Sequence, residues 1–340
     1  MIEQDQKILS DENEKVIGLK DLKPGDILIF EGDNSRIDNL IKRFTKSEAC
    51  HGALFVQNGE KAILADSGGT GIDLHLLSTE QFADEEKRTI HVRRLTKKGG
   101  FGADYDSIVT PVVDAAYDYV RQDLPYPYSD LVLMAMILIY KNVSDEGLKQ
   151  DVVIKLLRVA TAELKKLIDD KYRDGKHTLV CSSYVYQCFL DASKNNPDLK
   201  LQIENGDLQP ESTKKRVATL FDLYVEHATE YNFKTSHFAD AAQEPVTESI
   251  DELLNNLVDD QNKNHVSLVK GNALSHAIEE FLKTLLKAIG TSVNSIEDLI
   301  KNARAQQAMF ITPNDLLCHT TNTESVGVLD LYRDNNEYKP

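Results

Sequence analysis

Along residues 20–96 the apolar positions fall in short runs separated by turn residues, which is the pattern of strands. Pro24-Gly25-Asp26 marks a turn ahead of an apolar strand over 27–30. Ile37, Leu40, Ile41 and Phe44 recur at helical spacing and predict a short helix. Residues 50–67 read as a hairpin about Asn58-Gly59, and 88–95 as a further strand. Later in the chain the period changes to that of helices. Residues 111–122 open on Pro111, a first-turn residue. Ser129 or Asp130 caps an apolar helix over 131–140. Over 147–171, Leu148, Val152, Leu156, Val159, Ala160, Leu164 and Leu167 form one stripe, and 245–305 carries another through Leu274, Ile278, Phe281 and Leu285. Ser295 with Asp298 and Thr312 with Asp315 mark two helix starts, and 326–332 reads as a closing strand. Residues 1–19 read as a polar leader.

The chain has 340 residues, of which 41% are apolar and 28% charged, enough for one large or two ordinary soluble domains. A net charge of −16 argues against nucleic acid as a partner and against docking on anionic lipid. The longest apolar run, 131–140, falls short of the ~20 residues that span a bilayer, so no integral membrane segment is expected. The N-terminus has neither a secretory signal nor a transit peptide. Cys50, Cys181, Cys188 and Cys318 show no disulfide framework and no CxxC. The expectation is a cytoplasmic protein, or one secreted without a signal peptide, as effectors are.

Candidate chemistry centres on Cys181, where a strand-like run (His177–Val180) meets a helix-like one. A thiol at a helix N-terminus faces unpaired N–H groups and the positive end of the dipole, and both favour the thiolate. The Cys181 N–H itself is a candidate oxyanion donor. If Asn58-Gly59 is a two-residue turn, His51 lies directly opposite Asp66 on one face, with Cβ atoms about 4.5–5.5 Å apart. His51 would then serve as base, with Asp66 fixing its tautomer. Tyr126, Tyr128 and Ser182 are candidate substrate-binding residues. His75 and His177 remain alternatives for base or orienting group. Cys188 and Cys50 read as core, and no zinc-ligand spacing is present. Asp26 reads as a turn residue, and Ser67–Gly71 as a flexible loop without P-loop spacing. No metal or organic cofactor is implied.

These residues resemble the permuted branch of the NlpC-type, papain-like hydrolases, which includes the YiiX-like and lecithin:retinol acyltransferase-like proteins. The matching stretches are LKPGDILIF, CHGALFV with His51, ILADS with Asp66 and VCSSYVYQCF with Cys181, with YPYSDL and ITPNDLL in support. The histidine strand precedes the cysteine helix, as in that branch. The third residue is often Glu or His there, whereas here it is Asp66. The resemblance implies an α+β fold with a small antiparallel sheet packed on the cysteine helix and Cys181–His51–Asp66 catalysis. The expected organisation is a catalytic domain over 20–130, 175–240 and 306–335, with helical insertions at 141–172 and 245–305. The leading expectation is a thiol hydrolase cleaving an amide, isopeptide or ester bond of a peptide, protein or lipid-like acyl substrate. A lipid or protein acyltransferase with the same site is the alternative, the apolar 131–140 segment lining an acyl pocket. A third reading is a non-catalytic scaffold that binds a protein partner through 245–305.

Overall fold

A computed structural model describes residues 14–32, 35–57, 61–68, 71–78, 89–98, 100–122, 130–141, 148–171, 181–204, 219–230, 249–258 and 273–333. In chain order its elements are β1 (Val16–Ile17), β2 (Ile27–Glu31), α1 (Arg36–Thr45), β3 (Ala49–Gln57), β4 (Ile63–Gly68), β5 (Gly71–Leu76) and β6 (Ile90–Leu95). There follow α2 (Tyr105–Arg121), α3 (Asp130–Tyr140), α4 (Gln150–Lys171), α5 (Cys181–Ser193), α6 (Leu220–Glu230) and α7 (Ile250–Asn256). Next come α8 (Ala273–Ala288), α9 (Ile296–Met309), α10 (Pro313–Cys318) and β7 (Thr323–Leu329). The fold is α+β and divides into two compact units. One comprises Met1–Tyr126, Leu179–Gly206 and Ile311–Pro340, the other Pro127–Thr178 and Asp207–Phe310. Sequence reading carries the catalytic domain through residue 240, but α6 clusters with the second unit.

The first unit is built on a seven-stranded sheet of order β1-β7-β6-β2-β3-β4-β5. It is mixed rather than purely antiparallel, because β1 runs parallel to β7. Both faces are covered. Ile27, Ile29, Leu54, Val56 and Ala65 meet Val109 and Val112 of α2, Tyr184, Val185 and Phe189 of α5, and Leu316 of α10. Leu28, Phe30, Ala53, Phe55, Leu64 and Val92 form the opposite face with Ile17, Leu22 and Leu329. Burial on both sides explains why β2 is a continuous apolar run instead of an alternating one.

Three local expectations change. Residues 14–17, read as part of a polar leader, join the sheet. Val16 and Ile17 pair with Val328 and Leu329, and Glu14 places a carboxylate oxygen 3.4 Å from His91 Nδ1. A two-residue strand is too short to show any alternation in sequence. Gly327, at φ 142°, makes this pairing possible: a Cβ there would stand 2.0 Å from the Lys15 carbonyl oxygen. The helix assigned from Pro111 starts six residues earlier, at Tyr105, with Pro111 exposed inside it. Burial of Tyr105, Val109, Val112 and Ala116 on one stripe outweighs the lost hydrogen bond. The glycine-rich stretch contributes to the sheet as well, since β4 runs to Gly68 and β5 begins at Gly71, with these two glycines paired.

Asp26 does more than shape its turn. Its carboxylate is fully buried, accepts a bidentate pair from Arg94 (Nε to Oδ1 and Nη2 to Oδ2, both 2.7 Å) and takes the Lys23 N–H at 2.8 Å. The pair links the start of β2 to β6, with the Arg94 guanidinium over the Tyr105 ring of α2.

The second unit is helical. Every residue of Leu131–Tyr140 except Leu133 is buried, so this segment is core, and Tyr140 packs its ring 5.8 Å from those of Phe221 and Phe310. A helix that is apolar all round belongs inside a domain. The stripe on α8 is buried as its period demands, from Leu274 through Leu286. Ser295 caps α9 by accepting the Asp298 N–H.

Removing the Asp26 carboxylate leaves the Arg94 charge without its partner. Asp26→Ala is expected to lose about 3–5 kcal/mol of stability, the usual cost of breaking a buried pair from one side. Urea unfolding followed by circular dichroism measures it, and a loss below about 1 kcal/mol, the scale of an exposed pair, would refute a structural role for the pair.

Candidate active site

Helix α5 begins at Cys181, and its first turn lies against β3 at Gly52. A Cβ on Gly52 would sit 3.2 Å from Leu316 Cδ1, a tight contact, and 3.6 Å from the Ser182 Cα, an ordinary one, so the strand packs closely under both α5 and α10 here. The backbone N–H groups of Gly52 and Ser182 face the Cys181 sulfur. The α5 face carrying Tyr184, Val185, Cys188 and Phe189 is fully buried and fixes the helix against the sheet.

The strand register differs from the one expected. Ala53, not His51, opposes Asp66, and Leu54 and Phe55 oppose Ala65 and Leu64. Beyond an irregularity after Phe55, Gln57 pairs with Ile63, where a two-residue turn would pair it with Glu60. Asn58 and Gly59 themselves lie outside the described residues. The slip is two residues, and a slip of two keeps side chains on the same face. His51 and Asp66 are therefore diagonal neighbours, still within side-chain reach. His51 Nε2 lies 2.7 Å from Asp66 Oδ2. The Phe30 ring, 5.7 Å from the imidazole by centroids, closes one side of it.

Sequence reading left His75 as an alternative orienting group in a loop or strand end. It is a residue of β5, opposite Leu64, and its Nε2 lies 3.1 Å from Asp66 Oδ1, off the line of an aligned hydrogen bond. Tyr126, Tyr128 and His177 lie outside the described residues. Ser182 takes a different part from the one expected. Its hydroxyl is buried and donates to the Ile311 carbonyl at 2.5 Å, so it ties α5 to the segment before α10. What Ser182 offers the site is its backbone N–H. Gly52 is the contributor that sequence reading missed; its one visible signal was a glycine inside a strand, which often marks close backbone approach.

The electrostatics separate Cys181 from the other thiols. Burial pushes its pKa up, but the His51 charge, the hydrogen bond from His51 and the N–H groups of Gly52 and Ser182 outweigh it, so the thiol is held below its ordinary value of 9.0. Burial likewise opposes a charge on His51, yet the Cys181 thiolate and the Asp66 carboxylate raise its pKa to about 10. With Nε2 engaged by Asp66, Nδ1 is the ring nitrogen left for the sulfur. Burial raises the pKa of Cys50 and Cys188 instead, and neither faces an imidazole. Among the described residues, no group of three or more His, Cys, Asp or Glu is placed to hold a metal ion.

Comparison with family models gives no match, nor does comparison with curated proteins. Among solved structures, the chain is similar to the crystal structure of the metalloprotein yiiX from Escherichia coli O157:H7, DUF1105. The likeness has 18% identity and a TM-score of 0.30, over 50% of this chain and 66% of that one, just under two thirds of its length.

The two shifts set a pH window. The lowered Cys181 pKa contributes stability that is present above 9.0 and lost as pH falls through the folded value. The raised His51 pKa contributes stability that is fully present below 6.5 and lost as pH rises through about 10. The two shifts act in the same sense, each favouring the charged form of its own group. Alkylation of the native protein with iodoacetamide at pH 7, read by peptide mass spectrometry, should modify Cys181 well ahead of Cys50 and Cys188. Its rate should fall on the acid side at a midpoint below 9.0. A midpoint at or above that value would rule out the charged pair.

Proposed function

We propose that the chain is a cysteine hydrolase of the permuted papain-like kind, cleaving an amide, isopeptide or ester bond through a thioester on Cys181. The observation that carries this reading is the His51 imidazole, its Nε2 2.7 Å from Asp66 Oδ2, coupled electrostatically to a thiol at the start of a helix, Cys181. Buried cysteines are ordinarily neutral core residues, and Cys188, two turns along the same helical face, is one of them. Cys181 is the thiol that an imidazole draws toward its charged form.

The Cys181 thiolate attacks the substrate carbonyl carbon. A C–S bond forms, and the carbonyl π electrons move onto oxygen. The Cys181 N–H, which has no acceptor within its own helix at this position, is the oxyanion donor. Collapse re-forms the carbonyl and expels the amine or alcohol, which takes the proton from His51 Nδ1. Water then attacks the thioester while His51 accepts its proton, releasing the acid and restoring the thiolate–imidazolium pair. Asp66 holds the imidazole in place and stabilises its charge throughout. The substrate is a peptide, protein or lipid-like acyl compound.

The acyltransferase alternative loses the feature that motivated it. The apolar 131–140 segment is enclosed in the core of its own unit, with Leu131, Val132 and Met134 through Leu138 each no more than 6% exposed. Among the described residues no helix is long and apolar enough to cross a membrane.

A peptidyl or acyl electrophile should label Cys181 in the folded protein. Labelling is expected to fall at least about 100-fold in His51→Ala, the scale of lost general-base catalysis, with the melting temperature preserved. In lysate, Cys181→Ala should leave substrates uncleaved that the unsubstituted protein turns over. Equal labelling of the unsubstituted protein and His51→Ala would refute the proposal.

A further inference from the structure

Asp66 is shared by two imidazoles. Continuing the β3–β4 register sets His51 opposite Gly68, two residues beyond Asp66, while β5 sets His75 opposite Leu64, two residues before it. The three side chains thus lie on one diagonal across β3, β4 and β5. His51 meets Oδ2 at 2.7 Å, and His75 approaches Oδ1 at 3.1 Å. Resting on the cysteine-hydrolase reading above, we propose that His75 is a positioning residue of this site, holding the Asp66 carboxylate from the side opposite His51.

Several features of Asp66 require such a partner. Its directly opposed neighbours are Ala53, which offers no hydrogen bond, and Asp73, which carries the same charge. Like charges in direct register repel. Asp73 is exposed to solvent, and its carboxylate accepts the Leu74 N–H at 2.7 Å. Oδ1 of Asp66 is shielded from water and makes no aligned hydrogen bond, and His75 Nε2, 3.1 Å away, is a donor within reach of it. A short Asp side chain reaching diagonally to His51 has few orientations that place Oδ2 at 2.7 Å. A donor on Oδ1 selects among them. His75 is 32% exposed on its side chain, so it can turn its Nε2–H onto Oδ1 without rearranging the core.

The effect travels through Asp66 and His51 to the sulfur. With Oδ1 released, Asp66 supports the imidazolium less well, and the imidazolium in turn supports the thiolate less well. The test is the pH dependence of Cys181 alkylation by iodoacetamide in the full chain, for the unsubstituted protein, His75→Ala and His75→Gln. In His75→Ala the acid-side midpoint should move up by about half a pH unit, roughly a threefold loss of thiolate at a pH below both midpoints. His75→Gln keeps an N–H donor and should restore the midpoint. A purely structural loss would instead expose Cys50 and Cys188 and would leave the Cys181 midpoint in place, with Gln no better than Ala; that result overturns the proposal. So does an unmoved midpoint in a His75→Ala protein that is folded by melting temperature. If His75→Ala fails to fold, His75→Leu and His75→Gln are compared, and equal midpoints in those two overturn it. If Cys181 of the unsubstituted protein shows no preferential alkylation, the thiolate reading itself fails and takes this proposal with it. Preferential alkylation that is insensitive to His75 sinks only the role of His75.

Discussion

The contact between the first turn of α5 and β3 at Gly52 governs the rest of the site. It brings a helix N-terminus, a strand N–H and an imidazole around one sulfur atom. Each is a weak influence on a thiol. Burial alone would hold the proton on, as it does at Cys188 seven residues along the same helix. The charge of His51 reverses that outcome, because a charge pair at low local dielectric can exceed the cost of taking its members from water when further hydrogen bonds support both ends. Asp66 supports the imidazole end, and the Gly52 and Ser182 N–H groups support the sulfur.

The surrounding structure keeps that contact rigid. Tyr184, Val185 and Phe189 press α5 onto the sheet. Ser182 and Ser183 engage the carbonyl and N–H of Ile311, which ties the helix start to the segment leading into α10. Thr312 and Asp315 then form a reciprocal cap, so α10 starts at a defined place and presents Leu316 to the Gly52 region. The buried Asp26–Arg94 pair fixes β2 against β6, and β2 flanks the histidine strand. Hydrophobic area supplies the bulk of the energy here, while these polar ties determine where the elements stop.

Much of this was legible in the residues, and the parts that were not share a cause. The side of β3 on which His51 lies follows from a period of two, and that survived a register error because the error was even. The irregularity near Val56 could not be read, since a bulge depends on the neighbouring strand as much as on its own sequence. Pro111 misplaced a helix start because local preference yields to a buried stripe that begins before it. Cys181, His51 and Asp66 were visible as chemical types in a plausible order. Gly52 and Ser182 entered through their backbone, which has no side-chain signature. His75 became part of the group only once β5 was placed beside β4.

The pairing of β1 with β7 has a consequence for how the molecule is made. Residue 16 finds its partner at residue 328, with the whole helical unit encoded between. The hairpins carrying His51, Asp66 and His75 are local and can form as soon as they emerge from the ribosome. Cys181 follows after a long helical stretch, and the sheet closes only when the last strand arrives. Closing so distant a contact is slow, because loop entropy must be overcome before the pairing offers any return. During synthesis the exposed flank of β6 therefore waits for β7, and this is the interval in which the chain is most open to pairing with a strand that is not its own.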